Sequence, residues 1–331
     1  MSERKLATIA SIKEIKPHTN ADALELATIR GWRVVIKKGE FKPGDICVYC
    51  EIDSVLPERE EFEFLRKSKF RVKTIRLRSE LSQGIVFPLS ILPEGDYTEG
   101  MDVTERLGVT LYQPPIPVEL AGDVEGKFPS FIPKTDEERI QNCAYLLEEY
   151  RGEEWVATEK LVGSSVTYFV HNGDFGACSR NWQMKETPGN LHWTLARGIG
   201  LPEKMMNYGR DFALQGELIG PKIQGNPYKL NKHQVHFFSL YWIDKNRYGN
   251  HDELNKLCLD LLLTTVPMIH YGDILPLTVE EALRTAQGRS MLGMVEREGL
   301  VYRPINEQRD EKIGRVSFKA ISNRFLLKEK D

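Results

Sequence analysis

Short apolar and β-branched runs, separated by turn signals, dominate the first hundred residues of the chain. Six runs predict strands, with little room left for helix: Leu6–Ile15, Ala23–Ile29, Trp32–Ile36, Ile46–Ile52, Phe70–Arg78 and Gly84–Leu89. Turn chemistry stands between them, as in Lys42-Pro43-Gly44-Asp45. This pattern suits a small closed all-β barrel, and the five-stranded OB-fold is the commonest such barrel at this length.

The pattern changes twice in the rest of the chain. Val109–Pro133 is rich in proline and predicts an irregular linker, with Gln113-Pro-Pro-Ile-Pro117 and then Gly122–Gly126. From Glu154 onward, strands mix with a few helices, which predicts an α+β domain built on antiparallel sheets. The predicted strands are Trp155–Leu161, Val166–Val170, Phe175–Arg180, Phe212–Ile219, Val235–Ile243, Gly299–Tyr302 and Arg315–Ala320, and the helices are Ile140–Tyr150, Leu254–Leu263 and Val279–Ala286. The first two of these strands are expected to pair as a hairpin around Gly163 and Ser164.

These patterns divide the chain into a barrel domain at 1–110, a linker at 111–135 and a second domain at 136–331. A length of 331 residues suits two domains better than one core. Hydrophobic residues make 41% of the chain and charged residues 28%. Because no apolar run approaches about eighteen residues and the N-terminus has no apolar signal region, we expect a cytoplasmic globular protein.

Net charge and cysteine content argue against nucleic-acid binding by bulk charge, a disulfide framework and a zinc site. A formal net charge of −3 excludes nucleic-acid binding by bulk charge, so any such binding requires a local patch. The five cysteines are scattered and odd in number, which fits reduced thiols and not a disulfide framework. Cys47 and Cys50 have the spacing of a zinc motif, but alternation along a strand points them to opposite faces and no second pair follows, which disfavours zinc.

A local basic patch lies in and just before the run Phe70–Arg78. Seven cations occupy thirteen positions there: Arg66, Lys67, Lys69, Arg71, Lys73, Arg76 and Arg78. In a strand, Arg71 and Lys73 share one face, and Arg76 and Arg78 resume that face after a bulge. These last four residues, the basic stripe, predict a contact with a nucleic-acid backbone. The alternative is a solvated edge strand that its charge protects from aggregation.

Charged residues also interrupt or adjoin the apolar strands of the second domain. Lys160 lies at a strand-to-turn junction, Glu217 and Lys319 lie inside apolar runs, and Arg180 and Glu298 flank others. Alone, a lysine before a glycine-serine turn is the ordinary solvated end of a strand. Charges inside apolar strands are costly unless they are paired or bind a ligand, so the five together predict one polar pocket.

The order of these residues resembles the covalent nucleotidyltransferase superfamily of polynucleotide ligases and RNA capping enzymes. Six segments match its motifs in sequence: Lys160-x-x-Gly163, Ser179-Arg180, Gly216-Glu217-Leu218, Phe237-Phe238-Ser239-Leu240, Glu298-Gly299-Leu300-Val301 and Phe318-Lys319. One match is a weak signal, whereas six in order across the second domain are specific. The resemblance implies an α+β, ATP-grasp-like ligase domain.

Domain order refines this resemblance. DNA ligases and capping enzymes carry an OB domain after the last lysine motif, whereas only Ile321–Asp331 follow that motif here and the predicted barrel comes first. The arrangement is similar to the ATP-dependent RNA ligases of the Deinococcus and Naegleria type. Ser165 agrees, because DNA ligases and capping enzymes usually have arginine at that place.

The resemblance implies roles for the motif residues. Lys160 would attack the α-phosphate of ATP to form lysyl-AMP, the AMP would pass to an RNA 5′-phosphate, and a 3′-hydroxyl would then displace it. Lys319 would contact the α-phosphate and, with a bound cation, lower the pKa of Lys160 so that the amine is neutral. Glu298 and Glu217 would hold Mg²⁺ or Mn²⁺, and Glu217 would also accept from a ribose hydroxyl. The implied nucleotide-binding set is Glu159, Lys160, Gly163, Arg180, Glu217, Phe238, Leu240, Glu298 and Lys319.

Adenine recognition is assigned to the aromatic strand. The resemblance implies that an apolar side chain of residues 237–240 stacks on the base, and the face of Phe238 and Leu240 is favoured. Burial in the plain core is the alternative for one of Phe237 and Phe238.

Two positions depart from the superfamily pattern. The nucleophile motif is Lys-x-Asp-Gly, and Val162 stands where the aspartate belongs, so that side chain offers no acceptor for metal-bound water. A basic residue often precedes the last motif lysine by two positions, and here Ser317 stands there, with Lys312 or Arg315 as candidates to compensate. The valine is an engineered change, a natural variant with slow adenylylation, or the mark of a protein that only binds RNA ends.

The sequence therefore predicts an ATP-dependent RNA ligase that acts as a monomer on 3′-hydroxyl and 5′-phosphate ends. Nicks in a duplex are the expected substrate, since the OB domain offers a second surface for the duplex. A non-catalytic RNA-end binding module is the alternative that Val162 favours. An mRNA guanylyltransferase is a second alternative, which the absence of an OB domain after Lys319 disfavours.

Overall fold

The computed structural model describes residues 5–112 and 122–328, in two compact units. Residues up to 112, with 326–328, belong to the first unit, and residues 122–325 belong to the second. The proline-rich core of the predicted linker, 113–121, lies outside the described residues. Residues 122–135 differ from the expected irregular chain, because Val124–Lys127 forms a strand. No helix in the described ranges is long and apolar enough to cross a membrane.

The first unit is built mainly of short strands, as the alternating pattern predicts. They are β1 (Ala7–Ser11), β2 (Glu14–Pro17), β3 (Leu24–Ile29), β4 (Trp32–Lys37), β5 (Ile46–Cys50), β6 (Ser54–Val55), β7 (Thr74–Leu77), β8 (Glu80–Gln83), β9 (Ile85–Phe87) and β10 (Thr110–Leu111). Helix α1 spans Thr104–Leu107, and 3₁₀ helices span Glu60–Ser68 and Leu89–Ile91. The predicted strand Leu6–Ile15 is thus two strands, and only four residues of Phe70–Arg78 form one.

The strands of the first unit pair antiparallel in small sheets. Their orders are β1-β5-β9, β2-β3-β4, β7-β8 and β10-β6. Within residues 5–112 these sheets do not join into the predicted closed barrel. The strands span at most six residues, and each strand pairs with only one or two others. Alternation along β5 sends Cys47 into an apolar cluster with Trp32 and Cys50 into a separate one with Phe62.

The second unit combines two large sheets and one two-stranded sheet with helices. Its strands are β11 (Val124–Lys127), β12 (Glu138–Arg139), β13 (Glu154–Lys160), β14 (Ser164–His171), β15 (Asp174–Ser179), β16 (Trp182–Met184), β17 (Phe212–Ile219), β18 (Gln234–Trp242), β19 (Arg247–Gly249), β20 (Met268–Ile274), β21 (Gly299–Pro304), β22 (Arg309–Asp310), β23 (Gly314–Arg315) and β24 (Phe318–Ile321). Its helices are α2 (Leu146–Glu149), α3 (Leu191–Gly198), α4 (Leu201–Asn207), α5 (His251–Asp260) and α6 (Val279–Thr285), with a 3₁₀ helix at Ile243–Lys245. Helix α7 (Asn323–Lys328) ends the described chain. The helices predicted near α5 and α6 are confirmed, α2 is shorter than predicted, and α3 and α4 were not predicted.

The chain changes sheets immediately after Lys160. The larger sheet has the order β11-β16-β15-β14-β17-β18-β19, and the smaller has the order β12-β24-β21-β13-β20. Strand β13 pairs with β20 and β21, whereas β14 pairs with β15 and β17. The predicted hairpin of β13 and β14 is therefore wrong, since each strand finds its partners in a different sheet.

Candidate active site

Lys160 ends β13 beside the start of β21. Antiparallel register pairs Lys160 with Gly299, so the preceding residue, Glu298, lies next to the lysine side chain. The Nζ atom of Lys160 is 2.6 Å from Oε1 of Glu298, and the two side chains are 29% and 18% exposed. The predicted neighbours thus form a partly shielded ion pair.

Lys319 lies on the same face of the smaller sheet as Lys160. Register joins Thr158 to Val301 and Val301 to Lys319 across three strands, and Thr158 is two residues before Lys160. Since residues two apart in a strand share a face, the two lysines project from one side. The opposite side carries Trp155 and belongs to the apolar core.

Two motif glycines permit this close arrangement. A Cβ at Gly163 would lie 2.5 Å from the carbonyl oxygen of Leu218, and a Cβ at Gly299 would overlap the carbonyl oxygen of Ala320. Both approaches are closer than van der Waals contact, so a side chain larger than hydrogen would force the strands apart. The glycines therefore set the positions of Lys160 and Glu298 by backbone packing.

Glu217 is the second carboxylate near Lys160. It lies on β17 opposite Ser165, and its side chain is half-buried. Burial raises the pKa of Glu217 to about 7, and the positive charge of Lys160 only partly opposes that rise. Glu217, Glu298 and Lys160 are thus electrostatically coupled.

The two lysines have opposite pKa shifts. Burial disfavours the charged amine of Lys160, but Glu298 and Glu217 outweigh that effect and raise its pKa above the ordinary value. Burial is the main cause of a lowered pKa at Lys319, and Lys160 and Arg139 add to it. In this arrangement the two carboxylates outweigh the effect of the second lysine on Lys160, and the lowering of its pKa by Lys319 together with a bound cation stays a prediction.

Asp136 joins two of the predicted site residues and was missed from the sequence. Its carboxylate oxygens lie 3.2 Å from Nη2 of Arg180 and 3.6 Å from Nζ of Lys319. Arg180 and Asp136 are 66% and 62% exposed, so this contact is weakly shielded. Asp136 lies in an irregular segment where no periodic pattern marked it. It was detectable only as an acidic residue at the edge of the linker.

Arg139 is a cation that the strand register brings beside Lys319. Strand β12 runs parallel to β24 and pairs Arg139 directly with Lys319. Arg315 forms an ion pair with Glu307 and donates to Oγ of Ser239 at 2.9 Å. Lys312 lies over the ring of Tyr145 at 4.1 Å. The compensation predicted for Lys312 or Arg315 stays a prediction, and Arg139 is a further candidate for it.

Phe238 and Leu240 do not share a face, contrary to the prediction. A bulge in β18 lies between the pairs Gln215–Ser239 and Gly216–Phe237, and it breaks the alternation. Leu240 is fully buried with Phe237 in the core beneath the larger sheet, whereas Phe238 packs beside Leu161. Of the two predicted stacking residues, Phe238 is the accessible one.

Val162 faces an apolar cluster. Its half-buried side chain packs with Leu161, Tyr228 and Phe238, and its main-chain N–H donates to Oη of Tyr228 at 2.8 Å. Glu159 lies on the other side of β13 from Lys160. Its buried carboxylate accepts from the main-chain N–H of Met291 at 2.8 Å.

The predicted basic stripe is interrupted. Phe70 has φ of 58°, and β7 begins only at Thr74, so the regular alternation does not extend through the run. Arg71 pairs with Asp53 at 2.5 Å and lies 3.8 Å over the ring of Tyr112. Arg76, within the same unit, donates to the main-chain carbonyl of Leu327. The exposed members are Lys73 and Arg78.

Glu217 and Glu298 suit a divalent cation such as Mg²⁺ that takes its remaining ligands from phosphate and water. No group of three His, Cys, Asp or Glu side chains in residues 5–112 and 122–328 is arranged to hold a metal ion. Glu217 and Glu298 offer two carboxylates, which is the number that Mg²⁺ commonly takes from protein when phosphates and water complete its shell.

A half-buried lysine beside two carboxylates, with a second lysine on the same sheet face, defines the class of covalent nucleotidyltransferases. A family model described as an OB-fold domain matches residues 6–89, and one described as RNA ligase matches residues 153–321. The chain belongs to the RNA ligase family. This confirms the predicted fold class of an OB-fold domain followed by an RNA ligase domain.

Several solved structures are similar to the chain over its whole length. Naegleria gruberi RNA ligase with PPi is 41% identical, with 99% of this chain and 100% of that chain covered and a TM-score of 0.84. A mutant of that ligase with ATP and Mn gives the same identity, coverage and TM-score. Another mutant, with AMP and Mn, is 40% identical, with 99% and 100% covered and a TM-score of 0.86. The comparison with curated proteins finds no match.

Proposed function

We propose that the protein is an ATP-dependent RNA ligase that seals 3′-hydroxyl and 5′-phosphate ends at duplex nicks, as a monomer in the cytoplasm. The observation that carries the proposal is the Lys160–Glu298 pair, 2.6 Å apart on the sheet face that also bears Lys319. Support comes from the 40–41% identity to Naegleria gruberi RNA ligase, of which mutants were solved with ATP and Mn.

The proposed reaction has three transfers. The amine of Lys160 attacks the α-phosphorus of ATP, a P–N bond forms, and the bond to pyrophosphate breaks. An RNA 5′-phosphate oxygen then attacks the same phosphorus, and the P–N bond breaks. Finally the 3′-hydroxyl oxygen attacks the 5′-phosphate, and AMP leaves.

Each proposed role follows from a position in the site. Before attack, Lys160 must lose a proton and its contact with Glu298. Lys319 contacts the α-phosphate, and its lowered pKa shows how strongly burial disfavours its charge until an anion arrives. Arg180 releases Asp136 to bind ribose or the RNA end, and Phe238 stacks on adenine. Gly163 and Glu159 act through the backbone of the lysine loop.

Glu217 and Glu298 are proposed to hold Mg²⁺ or Mn²⁺. A divalent cation, when bound, supplies positive charge against the phosphate oxygens. We also propose that Glu217 accepts from a ribose hydroxyl.

Intact mass measurement after incubation with ATP tests the enzyme class. We expect the protein to gain the mass of one AMP in the presence of Mn²⁺ or Mg²⁺, and GTP to give no adduct. A GMP adduct with no AMP adduct would favour the guanylyltransferase alternative.

A non-catalytic RNA-end binding module is the second candidate, and Val162 is the observation that favours it. The valine side chain packs among apolar residues and offers no acceptor beside the nucleophile. The retained Lys160, Glu217, Glu298 and Lys319 weigh against this alternative, because binding alone does not require a nucleophile.

The interrupted stripe makes a separate prediction about RNA affinity. We propose that Lys73 and Arg78 contact RNA phosphates, since both are exposed, whereas Arg71 serves the fold through Asp53. Lys73→Ala with Arg78→Ala should weaken RNA binding and reduce the slope of log affinity against log salt by about 1–2. The matched control is Lys13→Ala with Lys42→Ala, two exposed lysines of the same unit. Equal losses in both double variants would show a general charge effect instead of a site.

A further inference from the structure

The loop Gly220–His233 connects β17 to β18 and has a closed, compact form. The last rung of the ladder below it joins Ile219 to Gln234, so fourteen residues leave and return at one place. Gly220 has φ of 135°, and a Cβ there would lie 2.8 Å from Cα of His233. Compact loops with adjoining ends hold a defined surface shape and frequently carry function.

Internal hydrogen bonds fix the shape of this loop. The side chain of Asn226 both accepts from the N–H of Leu230 at 3.0 Å and donates to its carbonyl at 2.9 Å. A ring nitrogen of His233 lies 2.8 Å from the carbonyl oxygen of Pro221. Main-chain bonds from Ile223 to Gly220 and from Lys229 to Asn226 tighten it further. The backbone positions that carry its exposed side chains are therefore held in a defined arrangement.

The charge of the loop has one sign. It contains Lys222, Lys229 and Lys232 and no aspartate or glutamate, in a chain with a net charge of −3. All three lysines are exposed, and none of them forms an ion pair within the described part of the chain. Three cations on one rigid loop attract a polyanion more strongly than scattered surface lysines do.

The inner face of the same loop is anchored beside the nucleophile. Tyr228 is 8% exposed, and its Oη accepts from the N–H of Val162, two residues after Lys160. Leu230 packs against the same apolar cluster as Leu161. Lys229 lies in sequence between these two inward residues and is exposed, so the loop carries a cation near the end of the strand that bears Lys160.

We propose that Lys222, Lys229 and Lys232 form a binding site for RNA backbone phosphates on the second unit itself. The site binds the RNA strand whose 5′-phosphate receives AMP from Lys160, and its residues belong to the second unit, whereas Lys73 and Arg78 belong to the first. This inference rests on the proposed ligase function for the identity of the polyanion. Lysine is a point-charge phosphate ligand without base specificity, so contact is with the backbone and not with base edges.

The loop lysines could bind the phosphates of ATP as well as those of an RNA backbone. The experiment therefore measures RNA binding and AMP adduct formation separately. The test variant is Lys222→Ala with Lys229→Ala and Lys232→Ala in the full chain. The control is Lys185→Ala with Lys245→Ala and Lys256→Ala, which removes three exposed lysines of the same unit. A third variant replaces the three loop lysines by arginine and keeps the charge.

Binding of fluorescent nicked duplex RNA is measured by anisotropy at several salt concentrations, and AMP adduct formation by intact mass. We expect the alanine loop variant to lose about 10-fold or more in RNA affinity at moderate salt and about 2–3 in the salt slope. The control and arginine variants should stay within about 2-fold of the parent, and AMP adduct formation should be unchanged in all three.

Unchanged RNA affinity in the loop variant would overturn the proposal, as would an equal loss in the control. An unchanged RNA affinity with a raised ATP requirement would assign the lysines to the triphosphate. The anisotropy readout needs no catalysis. If the parent forms no AMP adduct, the proposed ligase function fails. The anisotropy measurement then still tests whether the loop lysines bind RNA.

Discussion

Lys160→Ala is expected to abolish AMP adduct formation, to below about one thousandth of the parent rate. In the proposed reaction the amine of Lys160 forms the P–N bond, and no other described lysine forms an ion pair with Glu298. Lys319 is not a substitute, because register places it two strands from Lys160. Intact mass is the measurement. If the alanine variant formed the AMP adduct at the parent rate, the nucleophile would be another residue.

Lys160→Arg separates chemistry from folding in this prediction. A guanidinium keeps a positive charge opposite Glu298, so the carboxylates of Glu298 and Glu217 are not left without a cation. Arginine is not deprotonated in proteins and so cannot act as the nucleophile. We expect the arginine variant to melt within a few degrees of the parent, to bind RNA normally and to form no adduct. Lys185→Ala, at an exposed lysine outside the site, should retain full activity.

Val162→Asp is expected to accelerate AMP adduct formation by about 10- to 100-fold with saturating Mn²⁺ or Mg²⁺. The side chain at 162 lies two residues after the nucleophile, at a main chain held by Tyr228. A carboxylate there supplies an acceptor that orients metal-bound water, which valine lacks. The initial rate by intact mass, at several metal concentrations, is the measurement.

The same change should lower stability without metal. Val162 packs in an apolar cluster with Tyr228, whose hydroxyl contacts the main chain of residue 162. Burial is the main cause of the raised pKa of Tyr228, and the negative charges of Glu159, Glu298 and Glu217 add to it. A further negative charge therefore costs free energy until a cation binds. We expect a lower melting temperature that divalent metal restores.

Val162→Asn is the matched control, since asparagine has the shape of aspartate without its charge. Because its amide oxygen is an acceptor without negative charge, it should gain less rate than aspartate. An aspartate variant no faster than the parent would show that valine does not limit the first step. Absent adduct formation in the aspartate variant, with RNA binding intact, would favour the binding-module alternative.

The candidate site was largely predictable from the sequence because its chemistry is concentrated in short motifs. Lys160, Glu217, Glu298 and Lys319 are charges at positions where apolar residues belong, and such charges are kept only where something pairs with them. The structure joins Lys160 to Glu298 and Glu217 and places Lys319 on the same face. Their proposed roles await the substitutions above.

Residues that only the tertiary structure brings into the candidate site were not predictable in the same way. Arg139 reaches Lys319 through a parallel strand pair, and Asp136 reaches it from an irregular segment. Neither residue interrupts an apolar run of the sequence, so no hydrophobic pattern identified its charge as unusual. The lysines of the loop 220–233 likewise read as ordinary surface charges until Tyr228 placed the loop beside Val162.

The sequence by itself determined the domain order and the class of chemistry, and it predicted the nucleophile, because local composition and motif order carry that information. The tertiary structure alone decided which strands pair, and it separated β13 from β14 into different sheets. It also split Phe238 from Leu240 at a bulge, and it limited the strand in the basic stripe to Thr74–Leu77, so that only Arg76 of the four cations lies in it. The physical reason is that alternation along a strand holds only while the backbone stays extended, and single-residue departures depend on long-range packing.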